Sequence, residues 1–329
     1  MKKIGLGIIG LGYIGKVHLR NSLKLTDANL VAVSDISKRS LNEAKKDGAK
    51  KTYTSYEKLL KDPQVDAVVI ALPTHLHFEC AKRAAEAKKH ILLEKPIARN
   101  VAEAEEIVSA AQRNAVRLMI GYPLRFNKVM IPVKEQIKSG FLGDVEVAHA
   151  INVGSGPFYH RAQDYAPSPV PEWWFKKELT GGGALIDLGS HMINLFRWYF
   201  GEITDIKSHL GYRFNLDLED HAICIAQFES GTTGVINVGW FSQKYQVKVE
   251  LFGTVEHVIA SNIPPNRMIA AAQMLIMNNS TFWQPHVAEL GYFVNCIAND
   301  IQPSPSGKDG LKDLEAIESA YKNPIQLNS

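Results

Sequence analysis

The sequence of 329 residues predicts an α/β protein with two domains. Three observations predict this fold. A glycine-rich turn joins an apolar segment to a helical pattern near the N-terminus, strands and helices then alternate up to about Tyr122, and strand follows strand after that point. We therefore expect a doubly wound parallel sheet in residues 1–122 and an α+β domain with a mainly antiparallel sheet in residues 123–329.

The segment GLGIIGLGYIG contains the pattern G-x-G-x-x-G twice, once from Gly5 and once from Gly10. This pattern indicates nucleotide binding only between a strand and a helix, with an acidic residue about 20 positions further on. The first copy leaves only Met1 to Ile4 for a strand and has Leu30 at the acidic position. The second copy follows a buried-strand pattern, precedes a helical pattern and reaches Asp35. It therefore predicts the dinucleotide-binding turn of a Rossmann domain.

Each residue of the second copy has a physical task. Gly10 permits the tight turn, Gly12 lets the backbone approach the pyrophosphate, and Gly15 lets the helix pack on the strand. The N–H groups at the start of the helix attract the phosphates, and Asp35 accepts hydrogen bonds from the ribose hydroxyls. The residues assigned to the cofactor in this region are Gly10, Gly12, Tyr13, Ile14, Gly15, Asp35 and Arg39.

The choice between NAD and NADP depends on the residues at and after this acid. Asp35 repels a 2′-phosphate, which favours NAD. Ser37, Lys38 and Arg39 follow directly and could hold that phosphate. NAD is therefore the expected cofactor, and NADP stays open.

Strand and helix patterns alternate after Asp35, as they do in a parallel sheet with crossover helices. Buried strands read from residues 65–72, 90–95 and 116–122, and helical patterns from residues 40–48, 55–62, 75–89 and 101–114. Beyond a helix around residues 128–139 the pattern changes to successive strands, which a helix at about 184–199 interrupts. These strands are predicted at residues 144–153, 203–212, 220–228, 232–241 and 245–253. In the last of these strands apolar and polar residues alternate, which is typical of an antiparallel sheet with one buried face. Two helices near residues 286–299 and 308–321 close the chain.

The composition excludes several classes of protein. A net charge of +3 without a dense Lys/Arg run does not support nucleic-acid binding. Three scattered cysteines favour a reduced, cytoplasmic compartment over a disulfide framework. No apolar stretch approaches the length that spans a bilayer, so we expect no membrane association.

The first candidate for chemistry is the sequence Glu94-Lys95-Pro96, at the carboxyl end of a predicted strand. Ligands of open α/β sheets bind outside the carboxyl ends of the strands. A lysine there could hydrogen-bond a substrate hydroxyl or carry a proton. On position alone, a solvated loop lysine followed by a turn proline is the commoner explanation of this sequence.

The second candidate is the segment TGGGALIDLGSHMINLFRWYFG, in which Asp187 and His191 are four residues apart on a largely apolar helix. Residues four apart share a helix face. An aspartate beside a histidine raises its basicity and fixes its orientation, which suits a general base. The competing interpretation is an ordinary helix pair without chemistry. The preceding glycine run, residues 181–183, favours a cleft position.

Two further features carry weaker signals. His75 and His77 could bind a metal ion only with more ligands, so capping and contacts at the cofactor rim are the preferred interpretation, and we expect no metal. Trp173 and Trp174, with Tyr159 and His160, could stack on a sugar face, although core packing is the commoner fate of aromatic residues.

The ordered set of motifs resembles the glucose–fructose oxidoreductase / inositol dehydrogenase / rhizopine catabolism (Gfo/Idh/MocA) family. These motifs are G-x-G-x-x-G with a following Asp, then E-K-P, then G-G-G-x-L-x-D-x-G-x-H, and the likeness extends over nearly the whole chain. The resemblance implies a Rossmann domain and a C-terminal α+β domain whose large open sheet forms dimer or tetramer contacts.

The resemblance also implies roles for individual residues. Lys95, Asp187 and His191 form the catalytic group, and the Lys95–Pro96 peptide bond is cis. Many members carry Asp three residues after the motif histidine, where this chain has Asn194. The further candidates for the cofactor are Leu72, Pro73, Thr74, His77, Glu94 and Lys95, and those for the substrate are Lys95, Arg125, Tyr159, Trp174, Asp187 and His191.

We therefore expect an NAD-dependent dehydrogenase that acts on a secondary hydroxyl of a sugar, cyclitol or sugar derivative. Two alternatives stay open. One is a glycoside hydrolase of the same family that uses NAD transiently, and the other is a cofactor-binding regulator without chemistry. A catalytic set of Lys95, Asp187 and His191 argues against the regulator, since a sensor does not need it.

Overall fold

The computed structural model describes residues 3–158, 171–262 and 284–325. The chain divides into two compact units. The first unit contains the residues up to Phe126 and the described part of residues 280–312. The second unit contains the described part of residues 127–279 and the stretch that begins at Asp313.

The first unit is built on a six-stranded parallel sheet. Its central strands are almost entirely buried and mostly apolar, because helices that cross over between parallel strands cover both faces. The strands are β1 (Ile4–Ile9), β2 (Ala28–Ser34), β3 (Lys51–Tyr53), β4 (Ala67–Ile70), β5 (His90–Glu94) and β6 (Leu118–Gly121).

The strand order of this sheet is β3-β2-β1-β4-β5-β6. It is the order of a doubly wound dinucleotide-binding domain, in which ligands bind outside the carboxyl ends of the strands near β1 and β4. The predicted parallel sheet is therefore confirmed. The short strand β3 was not predicted, since its three half-buried residues carry too little pattern.

The described residues contain ten α-helices, most of which were predicted to within a few residues. Side-chain caps define some of their starts, as where the Ser37 hydroxyl accepts a hydrogen bond from the Ser40 N–H at 3.2 Å. The helices are α1 (Tyr13–Ser22), α2 (Lys38–Lys46), α3 (Tyr56–Leu60), α4 (His77–Glu86), α5 (Val101–Arg113), α6 (Ile131–Lys138), α7 (Lys177–Thr180), α8 (Ser190–Phe200), α9 (Gln284–Ala298) and α10 (Gly307–Lys322).

Helix α9 belongs to the first unit although it lies near the C-terminus. Its residues Leu290, Phe293 and Val294 are buried in the same apolar cluster as Leu6 and Leu19. The division by contacts therefore differs from the expected ranges 1–122 and 123–329 in the placement of this helix. A boundary read from strand and helix order cannot detect a helix that returns to the first core.

The second unit contains a six-stranded mixed sheet in which four of the five pairings are antiparallel. Its strand order is β12-β11-β7-β10-β9-β8, and only β7 and β10 pair in parallel. The predicted mainly antiparallel sheet is confirmed. Its strands are β7 (Val145–Val153), β8 (Ile203–Gly211), β9 (His221–Phe228), β10 (Thr233–Gly239), β11 (Gln246–Gly253) and β12 (His257–Ser261).

One face of this second sheet is buried and the other is partly exposed. On β9, for example, Ala222, Cys224 and Ala226 are fully buried, whereas Ile223 and Ile225 between them are exposed.

Within the described residues, no helix has the length and apolar character needed to cross a membrane.

Candidate active site

The turn after β1 requires glycine at two positions. Gly10 has a φ of +91°, and a Cβ atom there would lie 2.4 Å from the Ala71 carbonyl oxygen. A Cβ atom on Gly15 would lie 1.9 Å from the Gly10 carbonyl oxygen. A Cβ atom on Gly12 would meet nothing within 4 Å, so open space lies in front of the backbone at the start of α1. This open position fits a pyrophosphate at the helix N-terminus.

The first copy of the glycine pattern has a packing role. Gly5 and Gly7 lie within β1. A Cβ atom would be 1.9 Å from the Gln64 carbonyl oxygen at Gly5 and 2.7 Å from the Leu59 side chain at Gly7. These two glycines allow close packing on β1, and the second copy forms the turn.

The Asp35 carboxylate is fixed by the backbone around it. One of its oxygens accepts a hydrogen bond from the Leu11 N–H at 2.6 Å, and the other accepts from the Ser37 N–H at 2.7 Å. A carboxylate can accept about four hydrogen bonds, so capacity is left for ribose hydroxyls. The fixed carboxylate and the open space at Gly12 fit a bound dinucleotide.

The other assigned residues of this region lie around the same turn. Tyr13 is exposed and Ile14 half-buried in the first turn of α1. Arg39 is exposed and its Nε lies 3.0 Å from a carboxylate oxygen of Glu43. Their contacts with the cofactor stay predictions.

The segment after β4 contains Leu72 and Pro73, both half-buried, and Thr74, which begins a short 3₁₀ turn. His77 follows at the start of α4 and is buried. Its Nε2 lies 2.8 Å from the Leu72 carbonyl oxygen, and its Nδ1 lies 2.9 Å from the Pro96 carbonyl oxygen. His77 therefore connects this segment to the loop that carries Lys95, and its imidazole is engaged by backbone.

Lys95 follows the last residue of β5 and is half-buried, and the Lys95–Pro96 peptide bond is cis, as the family resemblance implies. The neighbouring Glu94 is buried and its Oε1 lies 2.7 Å from Nε2 of His18, a side chain without exposed surface. Burial alone would raise the pKa of Glu94, but the hydrogen bond and charge of His18 outweigh it and the pKa is lowered. The Glu94 side chain is thus engaged in the interior of the first unit, and its predicted cofactor contact stays untested.

Arg125, predicted on the substrate side, is buried in the first unit. Its guanidinium lies 3.5 Å from the Asp309 carboxylate and donates to the Ser304 hydroxyl at 3.1 Å. These contacts favour a structural role, and a contact with substrate stays a prediction.

In the second unit, Asp187 lies on a π-helical turn, Leu185–Gly189, that leads directly into α8. The predicted single helix is thus a π turn followed by an α-helix. The side-chain amide of Asn152 donates a hydrogen bond to the Leu188 carbonyl oxygen at 3.0 Å. Such π turns occur frequently at functional sites. The indole Nε1 of Trp240 donates a hydrogen bond to Asp187 Oδ2 at 3.1 Å.

Glu219 holds the glycine run in front of this turn. Its Oε1 accepts hydrogen bonds from the N–H groups of Gly183 and Leu185, each at 3.0 Å, and from the Tyr321 hydroxyl at 2.7 Å. A Cβ atom on Gly182 would lie 2.1 Å from the Tyr321 hydroxyl oxygen. Burial raises the pKa of Glu219. The start of the helix that carries the catalytic candidates is thereby fixed by side chains from distant parts of the second unit.

His191 is half-buried in the first turn of α8. Three residues further on, Asn194 donates to Asp313 Oδ2 at 2.6 Å, and the Arg197 guanidinium contacts the other oxygen of Asp313 at 2.5 Å. All three side chains are buried. An aspartate at position 194 would face the Asp313 carboxylate, so asparagine suits this chain.

The structure describes only some of the aromatic candidates. Trp174 is half-buried on a 3₁₀ turn, Glu172–Phe175, and its ring centroid lies 5.2 Å from that of Trp173. Tyr159 and His160 lie outside the described residues. The substrate contacts of Trp174 and Tyr159 stay predictions.

The described residues contain no group of three or more His, Cys, Asp or Glu side chains placed to hold a metal ion. His77 directs both ring nitrogens to backbone carbonyls, which leaves neither for a metal.

Sequence reasoning missed Trp240, Glu219 and Tyr321. No local pattern marks them, since they reach the glycine run and the π turn from separate elements. Only the structure shows that Glu219 and its sequence neighbours Leu218 and Asp220 are buried.

The parallel sheet, the glycine turn and the fixed acid together define an NAD-binding Rossmann protein, and the comparisons with known proteins agree. Residues 4–122 match the model of an oxidoreductase family with an NAD-binding Rossmann fold, and residues 130–258 match the GFO/IDH/MocA C-terminal domain. The chain therefore belongs to the Gfo/Idh/MocA family of oxidoreductases.

Several relatives show the range of the family. Myo-inositol 2-dehydrogenase of Thermotoga maritima is 27% identical, with 97% of this chain and 95% of that protein aligned. Rhizopine catabolism protein MocA of Rhizobium meliloti is 30% identical over 73% of this chain and 72% of that protein. The crystal structure of scyllo-inositol dehydrogenase from Lactobacillus casei with NAD(H) and scyllo-inositol superimposes with a TM-score of 0.80 at 22% identity, covering 98% and 96% of the two chains. This structural likeness supports the fold.

Proposed function

We propose that this protein is an NAD-dependent dehydrogenase that interconverts a secondary hydroxyl and a ketone on a sugar, a cyclitol or a derivative of one. Family membership supports an oxidoreductase acting on CH–OH groups. The observation that carries the proposal is the Asp187 carboxylate, which Trp240 holds on a π turn one helical turn before His191. A carboxylate fixed in this way, four residues before a histidine on a largely apolar helix, suits proton transfer.

Three side chains of this chain act on the substrate in the proposed mechanism. His191 takes the hydroxyl proton during oxidation, and Asp187 orients the imidazole and stabilises its protonated form. Lys95 hydrogen-bonds the reacting oxygen. When bound, the nicotinamide supplies the hydride acceptor, and the turn at Gly10, Gly12 and Gly15 with Asp35 would hold its dinucleotide.

The substrate class is proposed from the relatives and from the site. Two of the relatives named above are inositol dehydrogenases, and their names describe oxidation of a ring hydroxyl. Half-buried Trp174 offers an aromatic surface of the kind that packs on a sugar ring.

We also propose a cytoplasmic homodimer or homotetramer that assembles through the second sheet. Exposed apolar side chains lie on three strands of one face, with Ile225 44%, Phe252 38% and Ile259 52% accessible. Phe252 and Ile259 lie on the adjacent strands β11 and β12, and Ile225 lies on β9, beyond β7 and β10. Exposed apolar residues on a sheet face agree with a protein interface there. Cys80, Cys224 and Cys296 are buried and free, which agrees with a reducing compartment. Sedimentation equilibrium tests the assembly, and a monomer at micromolar concentration contradicts it.

The test of function is a screen of cyclitols, aldoses and nucleotide sugars with NAD and NADP, followed by the absorbance of the reduced nicotinamide. The proposal expects steady reduction of NAD with at least one free polyol or sugar. Cleavage of aryl glycosides without net reduction of NAD indicates the hydrolase alternative instead. Tight NADH binding without turnover of any compound indicates the regulator.

A further inference from the structure

Two cations near the expected ribose position share one carboxylate. Lys16, directly after Gly15 in α1, lies 2.7 Å from Oε2 of Glu43, and Arg39, in the first turn of α2, lies 3.0 Å from Oε1 of the same residue. The hydrogen bonds from Lys16 and Arg39 lower the pKa of Glu43, so the carboxylate is ionised at neutral pH. Glu43 therefore neutralises charge at the end of the site that a 2′-phosphate would occupy.

A 2′-phosphate is normally accommodated by an arginine near the end of the second strand, and an acid at that end selects against it. Here the acid, Asp35, and the arginine, Arg39, are four residues apart, and both are present. Asp35 alone leaves Arg39 available as a phosphate ligand. In this chain Arg39 is already paired with a second acid, Glu43, one turn further along α2.

We propose that Glu43 is a specificity residue that withholds Arg39, together with Lys16, from the 2′-phosphate of NADP. Glu43 thereby adds to the selection of NAD over NADP that Asp35 provides. The proposal rests on the proposed use of NAD as the preferred cofactor, and it concerns binding, which is measured without any substrate.

A purely structural role of Glu43 makes different predictions. Helix α2 has its own cap at Ser37 and buries Leu41 and Ala44, whereas the Glu43 side chain is 39% exposed. Exposed ion pairs contribute little to folding. Removing the charge of Glu43 should therefore leave the fold intact and change the electrostatics of the site.

The test compares the dissociation constants of NADH and NADPH for the full-length protein by titration calorimetry. Glu43→Gln keeps the shape of the side chain and removes its charge. We expect NADPH to bind about two- to thirtyfold more tightly, the range that two surface ion pairs can supply, while the affinity for NADH changes less than about twofold. The gain must shrink when Arg39 is also replaced by Gln and disappear when both Arg39 and Lys16 are replaced by Gln.

Glu79→Gln is the matched control, since Glu79 forms a comparable i,i+4 ion pair with Arg83 on α4. It should change neither dissociation constant. An unchanged NADPH affinity in E43Q, equal changes for both cofactors, or a gain that survives the loss of both Arg39 and Lys16 would overturn the proposal. Failure to find a sugar substrate would contradict the proposed function and leave this binding result standing.

Discussion

Trp240 and Asp187 are joined by a hydrogen bond of 3.1 Å although 53 residues separate them in the sequence. The indole is buried, and its own backbone N–H donates to the Asp220 carbonyl at 2.8 Å. The donor is therefore fixed at both ends, and the carboxylate on the π turn has a defined position.

Trp240→Phe keeps the aromatic volume and removes the N–H donor. A hydrogen bond to a charged group is worth about 1.5–3 kcal/mol. We expect kcat to fall about 10- to 100-fold while NADH affinity stays unchanged. Steady-state kinetics and calorimetry measure the two quantities. Trp198→Phe, in the same unit, is the control and should retain wild-type kcat.

Glu219→Ala removes the acceptor for two backbone N–H groups and the Tyr321 hydroxyl. Each buried donor left without a partner costs about 1–3 kcal/mol. We expect a loss of several kcal/mol in the free energy of unfolding, measured with urea. Glu219→Gln retains a carbonyl oxygen and should lose much less, so equal losses in the two variants would contradict the role of this oxygen.

Gly12→Ala separates folding from cofactor binding. Nothing lies within 4 Å of the added Cβ, so stability without cofactor should change by less than about 1 kcal/mol. NADH should bind at least about tenfold more weakly, because the methyl group occupies the approach to the pyrophosphate. Gly15→Ala, whose Cβ would lie 1.9 Å from the Gly10 carbonyl oxygen, should destabilise the protein even without cofactor. Thermal unfolding and calorimetry distinguish the two, and normal NADH binding by G12A would contradict the assignment.

Glu289 on α9 predicts how the stability of the protein depends on pH. The side chain is fully buried, and burial together with the charge of Glu94 raises the pKa of Glu289 well above its ordinary value. The folded state therefore retains a proton that the unfolded chain releases above about pH 4.3. The contribution of Glu289 to the free energy of unfolding is therefore present at low pH, and it is lost as the pH rises towards the pKa that Glu289 has in the folded protein.

Glu289→Gln should remove that dependence, so the variant gains more free energy of unfolding over wild type at pH 8 than at pH 5. Burial lowers the pKa of the neighbouring His286 to about 4, which affects stability in the opposite direction as the pH falls. His286 is present in both proteins, so its effect cancels in the comparison. A constant difference between wild type and variant from pH 5 to 8 would show that Glu289 is ionised in the folded protein.

The local parts of this molecule could be predicted from sequence. The strand, turn and helix around Gly10 lie within twenty residues, and steric limits on glycine and the helical period both act over that range. The other strands of both sheets, except β3 and β12, followed from their apolar patterns. Their pairing order in the second sheet, with one parallel pair inside an antiparallel sheet, is set by packing over long distances.

The supporting contacts of the site could not be predicted, for the same reason. Tyr321 reaches Glu219 across 102 residues, and Glu219 reaches Gly183 across 36. Two residues that were predicted to contact the cofactor have partners in the interior. His77 contacts a backbone carbonyl oxygen, and Glu94 contacts His18. A sequence pattern marks a position near the site, whereas the direction of each side chain depends on tertiary packing.

The central claim is that Lys95 and His191 act on one substrate hydroxyl. The most direct measurement is kcat of Lys95→Ala, His191→Ala and the double variant with the best substrate from the screen, with thermal unfolding as a check on folding. We predict that each single variant loses about 10²- to 10⁴-fold in kcat and that the double variant loses far less than the product, as groups that act as a unit do. Single variants with kcat near wild type, or a double variant whose loss equals the product of the two, would contradict this account.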